Sequence, residues 1–149
     1  MANYCSNSVL FLGDKESVAA VKDLFARVEL QQNKTHQYHL PDFIQADDGY
    51  MQDIDACEDW LNYETRWAPN LNVLEQIAEK YKVNFICHYS EMMSGIWGEA
   101  VYHDGKLTSV DRNKYDSVKR PDRELNALRQ QQKYLINRFL HPGNDLQQR

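Results

Sequence analysis

Cysteine is scarce in this chain: Cys5, Cys57 and Cys87 are the only three in 149 residues. An odd number at wide spacing, with no C-x-x-C pair, supplies neither a disulfide framework nor a zinc-binding set. The thiols are expected to be buried or half-buried in a reducing compartment. No apolar run approaches the roughly 18 residues of a membrane span, so no membrane partner is expected. The opening MANYCSNSVLFLGD has no basic stretch ahead of a long apolar one, so a secretory signal is not expected and the cytoplasm is the expected location. Internal repeats and low-complexity tracts are absent. So are a Walker A loop, G-x-G-x-x-G, H-E-x-x-H, G-x-S-x-G and an EF-hand loop, which leaves no motif-borne enzyme assignment.

The residues present suit one folded unit. The hydrophobic share is 42% and the charged share 26%, both ordinary for a globular domain. A chain of this length buries roughly two thirds of its unfolded surface, so a core forms without staples. Charge is unevenly spread. Residues 1–111 hold 8 basic and 18 acidic side chains, whereas residues 112–149 hold 9 and 4. The chain is therefore read as an α+β domain over 1–111 and a basic helical extension over 112–149, packed on or beside it.

Tyr4–Leu12 reads as a strand with Cys5, Val9 and Phe11 on one face, Asn7 among them, and Leu10 and Leu12 on the other. Asp14 or Ser17 caps a helix to about Gln32, with Val18, Val21, Leu24, Phe25 and Val28 as its apolar stripe. Residues 33–49 read as a long loop, a length that often accompanies function. Tyr50–Asp55 and Asp59–Trp67 are strand candidates. Pro69 and Asn70 open a helix to Tyr81. Val83–Tyr89 is a further strand, and Gly95–His103 and Lys106–Val110 flank the hairpin signal Asp104-Gly105. A helix from about Asp122 to Leu140 carries Leu125, Leu128, Leu135, Ile136 and Phe139 on one face. The order is β-α-β-β-α-β, then a hairpin strand and a helix. It matches the ferredoxin-like split βαβ arrangement, an antiparallel sheet with two helices on one face.

Two stretches stand out chemically. In WLNYETRWAPN, Trp60 and Trp67 flank Glu64 and Arg66, and a helix start follows, where free backbone donors suit an anion. In SEMMSGIWGEA, Gly95 and Gly98 allow close backbone approach around Trp97 and Glu99, and Met92 and Met93 form a flexible lip. If the later strands neighbour the earlier ones, Glu64 and Glu99 approach each other, and a carboxylate pair can do acid–base work. Two acids on a sheet are more often surface charges. The histidines are scattered. His88, His103 and Glu99 could assemble a metal site, but their spacing does not call for one, so neither metal nor cofactor is expected.

MANYCSNSVLFLGD, WLNYETRWAPNLNVLEQIA and SGIWGEAVYHDG, in that order, resemble the YubB-like family of small plasmid and phage proteins. The matching pieces are an opening of the form MANWCSN, a W-x-x-Y-E-T-x-W-x-P segment and a G-x-x-G-E-A step. Tyr4 stands where the family pattern has Trp. The likeness spans about residues 1–110 and leaves the basic tail outside. It implies a ferredoxin-like fold, an origin in a mobile element and hence a bacterial host cytoplasm. It does not imply an iron–sulfur cluster, since three dispersed cysteines cannot supply the usual four thiolates. No activity carries over with it.

The function expected from these features is a small non-enzymatic accessory protein that binds a host protein or a nucleotide-like ligand, counteracting host defence. Trp60, Glu64, Arg66, Trp67, Trp97 and Glu99 would form the ligand site. The tryptophans would stack or anchor, Arg66 would hold an anion, and the acids would accept hydrogen bonds. One alternative is a nucleotide or phosphodiester enzyme using Glu64 and Glu99 with His88 or His103. Another is nucleic-acid binding through Lys119, Arg120, Arg123, Arg129, Lys133 and Arg138 of the tail. A homo-oligomer remains open.

Overall fold

The computed structural model describes residues 3–56, 59–113 and 123–141. Cys57, Lys119 and Arg120 lie outside the described residues. Six strands and three helices follow one another as β1 (Tyr4–Leu12), α1 (Lys15–Thr35), β2 (Gln52–Asp55), β3 (Trp60–Arg66), α2 (Leu71–Tyr81), β4 (Asn84–Glu91), β5 (Ile96–His103), β6 (Lys106–Asn113) and α3 (Arg123–Phe139). The strands form one antiparallel sheet in the order β2-β3-β1-β4-β5-β6. Its first four members are the ferredoxin-like core expected from the element order. The hairpin at Asp104-Gly105 then adds both of its strands to the β4 edge. Asp104 and Gly105 both take positive φ, 50° and 79°, which is the geometry a tight two-residue hairpin turn needs.

Side chains alternate across β1, and each face has its own core. Cys5, Val9 and Phe11 point toward α1 and α2, where they meet Phe25, Leu74, Ile77 and Phe85. Phe11 packs on Phe25 and Phe85 with ring centroids 5.8 and 6.1 Å apart. Leu10 and Leu12 point the other way and meet Ile86, Val101 and Val110 under Leu125, Leu128 and Leu135 of α3. The sheet is thus sandwiched between α1 and α2 on one side and α3 on the other. Fully burying one such Leu or Phe contributes about 1.5–3 kcal/mol, so the second core binds α3 to the sheet rather than leaving it in solvent.

Element ends differ from the sequence expectation where local chemistry gives no sharp stop. Helix α1 runs on to Thr35 and ends with His36 in the left-handed region, its N–H bonded to the Gln32 carbonyl at 2.9 Å. Asp14 is its N-cap residue but makes no side-chain capping bond. Strands β4 and β6 continue to Glu91 and Asn113, so β6 crosses the boundary expected at 111. The segment between α1 and β2 has no regular structure, yet it is packed. Leu40, Phe43, Ile44 and Ala46 lie against the first core, and Met51 is fully buried. Gln76 ties it to α2, accepting from the Gln45 N–H at 2.8 Å and donating to the Gln45 carbonyl at 3.1 Å.

Candidate functional site

Helix α3 covers only part of its sheet face. The apolar row Leu10, Ile86 and Val101 lies beneath it, but the rows before it are polar. In register, Glu64, Ser6, Ser90 and Trp97 form one row across β3, β1, β4 and β5. Asn62, Ser8, His88 and Glu99 form the next. Together with Asp53 and Asp55 from β2 and Arg129 from α3, they line an open cleft of about 750 Å³. Strand β2 reaches this cleft through a bulge: two residues lie between Gln52 and Asp55, against one between their partners Glu64 and Asn62. Asp53, within the bulge, takes a φ of 51°. Bulges of this kind re-aim side chains beside sites.

Glu99 is the joint between helix and sheet. Its carboxylate accepts from Arg129 Nε at 3.0 Å and from Gln132 Nε2 at 3.3 Å. His88 Nε2 lies 3.3 Å from the same carboxylate and 3.1 Å from Gln132 Oε1. The indole of Trp60 backs the His88 ring with centroids 5.2 Å apart. A carboxylate so fully engaged is a structural acceptor, its oxygens already committed to Arg129 and Gln132.

A second cleft, about 610 Å³, opens where β3 ends. Its wall comes from the packed segment after α1, through Gln37, Tyr38, Asp48, Gly49 and Tyr50, and it is closed by Gln52, Arg66 and Trp67. The turn carrying Trp67 is fixed from inside. Thr65 Oγ1 donates to the Ala68 carbonyl at 2.7 Å and accepts from Asn7 Nδ2 at 3.0 Å. The Tyr63 hydroxyl donates to Asn70 Oδ1 at 2.7 Å, and Asn70 Nδ2 donates to the Gly49 carbonyl at 2.9 Å. The Trp67 N–H donates to the Asn3 carbonyl at 2.7 Å. Held this way, Trp67 adopts a φ of 69°, an outlier for a bulky residue, and remains 60% exposed. The Y-E-T-x-W-x-P pattern thus has a physical basis: Tyr63 and Thr65 are internal ties, and Trp67 is what they present.

The six residues expected to share one site are divided among three places. Glu64, Trp97 and Glu99 line the sheet-face cleft, Arg66 and Trp67 line the second, and Trp60 lies between α3 and His88. The expected approach of Glu64 to Glu99 does not occur, because β1 and β4 lie between β3 and β5. Three strand spacings separate their backbones by about 14 Å. At the start of α2, Asn70 is buried, its side chain makes no capping bond, and its carbonyl accepts from the Val73 and Leu74 N–H groups. His103 lies at the end of β5, 3.4 Å from Gln131 and 3.2 Å from Asp104. Among the described residues no three His, Cys, Asp or Glu side chains form a metal-binding group.

Of the tail's basic residues, Arg129 is turned to the sheet and Arg138 donates to the Tyr134 hydroxyl at 3.1 Å. Arg123 and Lys133 are exposed. Sequence reasoning missed Gln132 and the serine floor of Ser6, Ser8 and Ser90. Gln132 had a signal, since it sits on the apolar stripe of α3 between Leu128 and Leu135. Cys5 and Cys87 are both buried and free, and burial pushes the Cys5 thiol up to about 11. No described helix is long and apolar enough to cross a membrane.

A family model described as a ferredoxin-like domain in Api92-like protein matches residues 48–130. The match takes in β2 through β6 and the start of α3. It therefore reaches past the span of the sequence resemblance and into the basic tail. No curated protein and no solved structure matches the chain.

Proposed function

This chain belongs to the family of ferredoxin-like domains of Api92-like proteins, and from that premise we propose that it is a non-enzymatic binding protein whose partner docks on the part of the sheet face that α3 does not cover. The observation that carries this reading is the chemistry of the 750 Å³ cleft. Among the described residues, four carboxylates (Asp53, Asp55, Glu64 and Glu99) line it with one cation, Arg129, which is already paired with Glu99. Serine hydroxyls floor it, and Trp97 gives it one large apolar wall. Such a surface attracts an occupant with positive charge and hydrogen-bond donors, and it repels phosphate. The partner that fits is a Lys- or Arg-bearing segment of a host protein.

The sequence resemblance supports a YubB-like accessory protein of a phage or plasmid, acting in the bacterial cytoplasm, and blunting host defence is the role such a protein would have. Catalysis by Glu64 and Glu99 draws no support from carboxylates so far apart, one of them fully engaged. Nucleic-acid binding by the tail draws little, because Arg129 is committed to the sheet.

The test is recovery of partners from bacterial cells with the wild-type chain and with Glu64→Lys and Trp97→Ala, read by native mass spectrometry. The reading expects a protein partner that is released by salt and lost from both variants. A partner retained equally by both variants, or only a small molecule bound in this cleft, overturns it.

A further inference from the structure

The second cleft carries an inference that is independent of the sheet-face reading. Tyr38, Tyr50 and Trp67 are 51%, 40% and 60% exposed, and all three line this one cleft. Aromatic side chains normally bury their rings, so three exposed around one hollow mark a surface built to be covered. It is also pre-organised. Gly49, at a φ of 89°, lies so close to Asn70 and Val73 that a Cβ there would stand 3.1 Å from each. The Asn70 and Thr65 hydrogen bonds hold the opposite wall. Arg66 stands among the rings, and among the described residues its guanidinium makes no ion pair. A cation without a partner beside exposed rings suits a ligand that is planar at one end and anionic at the other.

We infer that this cleft binds a free nucleoside phosphate. The base stacks on Trp67 and the tyrosines, and Arg66 takes the phosphate as a two-pronged donor. Asp48 accepts from a sugar hydroxyl or an exocyclic amine, and Gln37 offers an amide that both donates and accepts to the base edge. The surplus of acid over residues 1–111 opposes a long polyanion, so the ligand is a single nucleotide rather than a strand. Sequence alone joined Arg66 and Trp67 to the sheet-face residues; the fold gives them a separate site with tyrosines from the segment after α1.

Equilibrium dialysis of the full chain against the common ribonucleoside monophosphates, with the matching nucleosides in parallel, tests this. At least one monophosphate should bind saturably and about tenfold tighter than its nucleoside. Arg66→Gln should remove that advantage and leave nucleoside binding in place. Trp67→Ala and Tyr50→Ala should each abolish both. All three residues are exposed, and unchanged thermal melting of each variant verifies that the fold persists. Trp97→Ala, in the other cleft, should alter nothing. Absence of saturable binding, equal affinity for nucleoside and nucleotide, loss of binding in Trp97→Ala, or tighter binding of a single-stranded oligonucleotide each overturns the inference. Because the two clefts share none of these residues, either proposal can fail alone.

Discussion

Gly98 has no room for a side chain. It faces Tyr89 on β4 and Asp111 on β6, and the Tyr89 phenol lies across it to donate to the Asp111 carboxylate. A Cβ at Gly98 would enter the Tyr89 ring. The glycine of the G-E-A step therefore serves packing, through the close approach that its lack of a side chain suggested. Gly98→Ala should destabilise the fold by about 1–3 kcal/mol in denaturant titration. Combined with Tyr89→Ala its cost should be clearly less than the sum of the two, since the obstacle is gone; additive costs would mean that the ring is not what Gly98 accommodates. Glu91 makes a prediction in pH. The Ser94 hydroxyl, and then the Ser94 and Met93 N–H groups, hold its carboxyl below the ordinary 4.5 against an opposing effect of burial. A folded value below the unfolded one means that the stabilisation is present above 4.5 and is lost as pH falls through the folded value. Glu91→Gln should flatten that acid limb in a series of denaturant midpoints, with a loosened β4–β5 turn at neutral pH.

At the scale of elements, α3 decides what the sheet face can do. Its leucines cover Leu10, Ile86 and Val101, and it meets the neighbouring polar row through Gln132 and Arg129. Leu128→Ala should cost about 2–5 kcal/mol, read as a shift in the denaturant midpoint. Gln132 acts differently, since it bridges His88 and Glu99 while buried among leucines. Gln132→Ala leaves those groups without their bridge, and a loss of about 1–3 kcal/mol is expected. Gln132→Leu tests the same bridge at nearly constant packing: melting unchanged from wild type would show that the bridge adds nothing. Deleting the tail is no clean test of nucleic-acid binding, because it would bare the second core. Charge reversal at Arg123, Lys133 and Arg138 leaves that core covered.

At the scale of the whole molecule, charge separates the possible partners. The net charge is −5, and the acid is concentrated in the sheet-bearing part. Duplex DNA should show little retardation in a mobility-shift assay at low salt, and the triple reversal of α3 should not change it; a shift lost on reversal would restore the tail as a DNA contact. Binding of a basic partner in the sheet-face cleft should instead weaken as salt rises past physiological strength, where the screening length falls below about 8 Å.

The sequence by itself determined the elements and their faces. Alternation in Tyr4–Leu12 and Trp60–Arg66, helical spacing in α1, α2 and α3, and the Asp104-Gly105 turn are local signals, each set by neighbours along the chain. Their order was enough for the ferredoxin-like topology, because few sheet arrangements satisfy short connections and two helices on one face. What only the tertiary structure decided is which side chains meet. Strand order depends on pairings far apart in sequence, and it put β1 and β4 between Glu64 and Glu99. Helix α3 docks through contacts made across the sheet, so its commitment of Gln132 and Arg129 to Glu99 had no local signature. The separation of Trp67 and Arg66 from Trp97 has the same cause: a strand alternates its side chains reliably, but where the strand stops, and what packs beside its end, is settled by the rest of the chain.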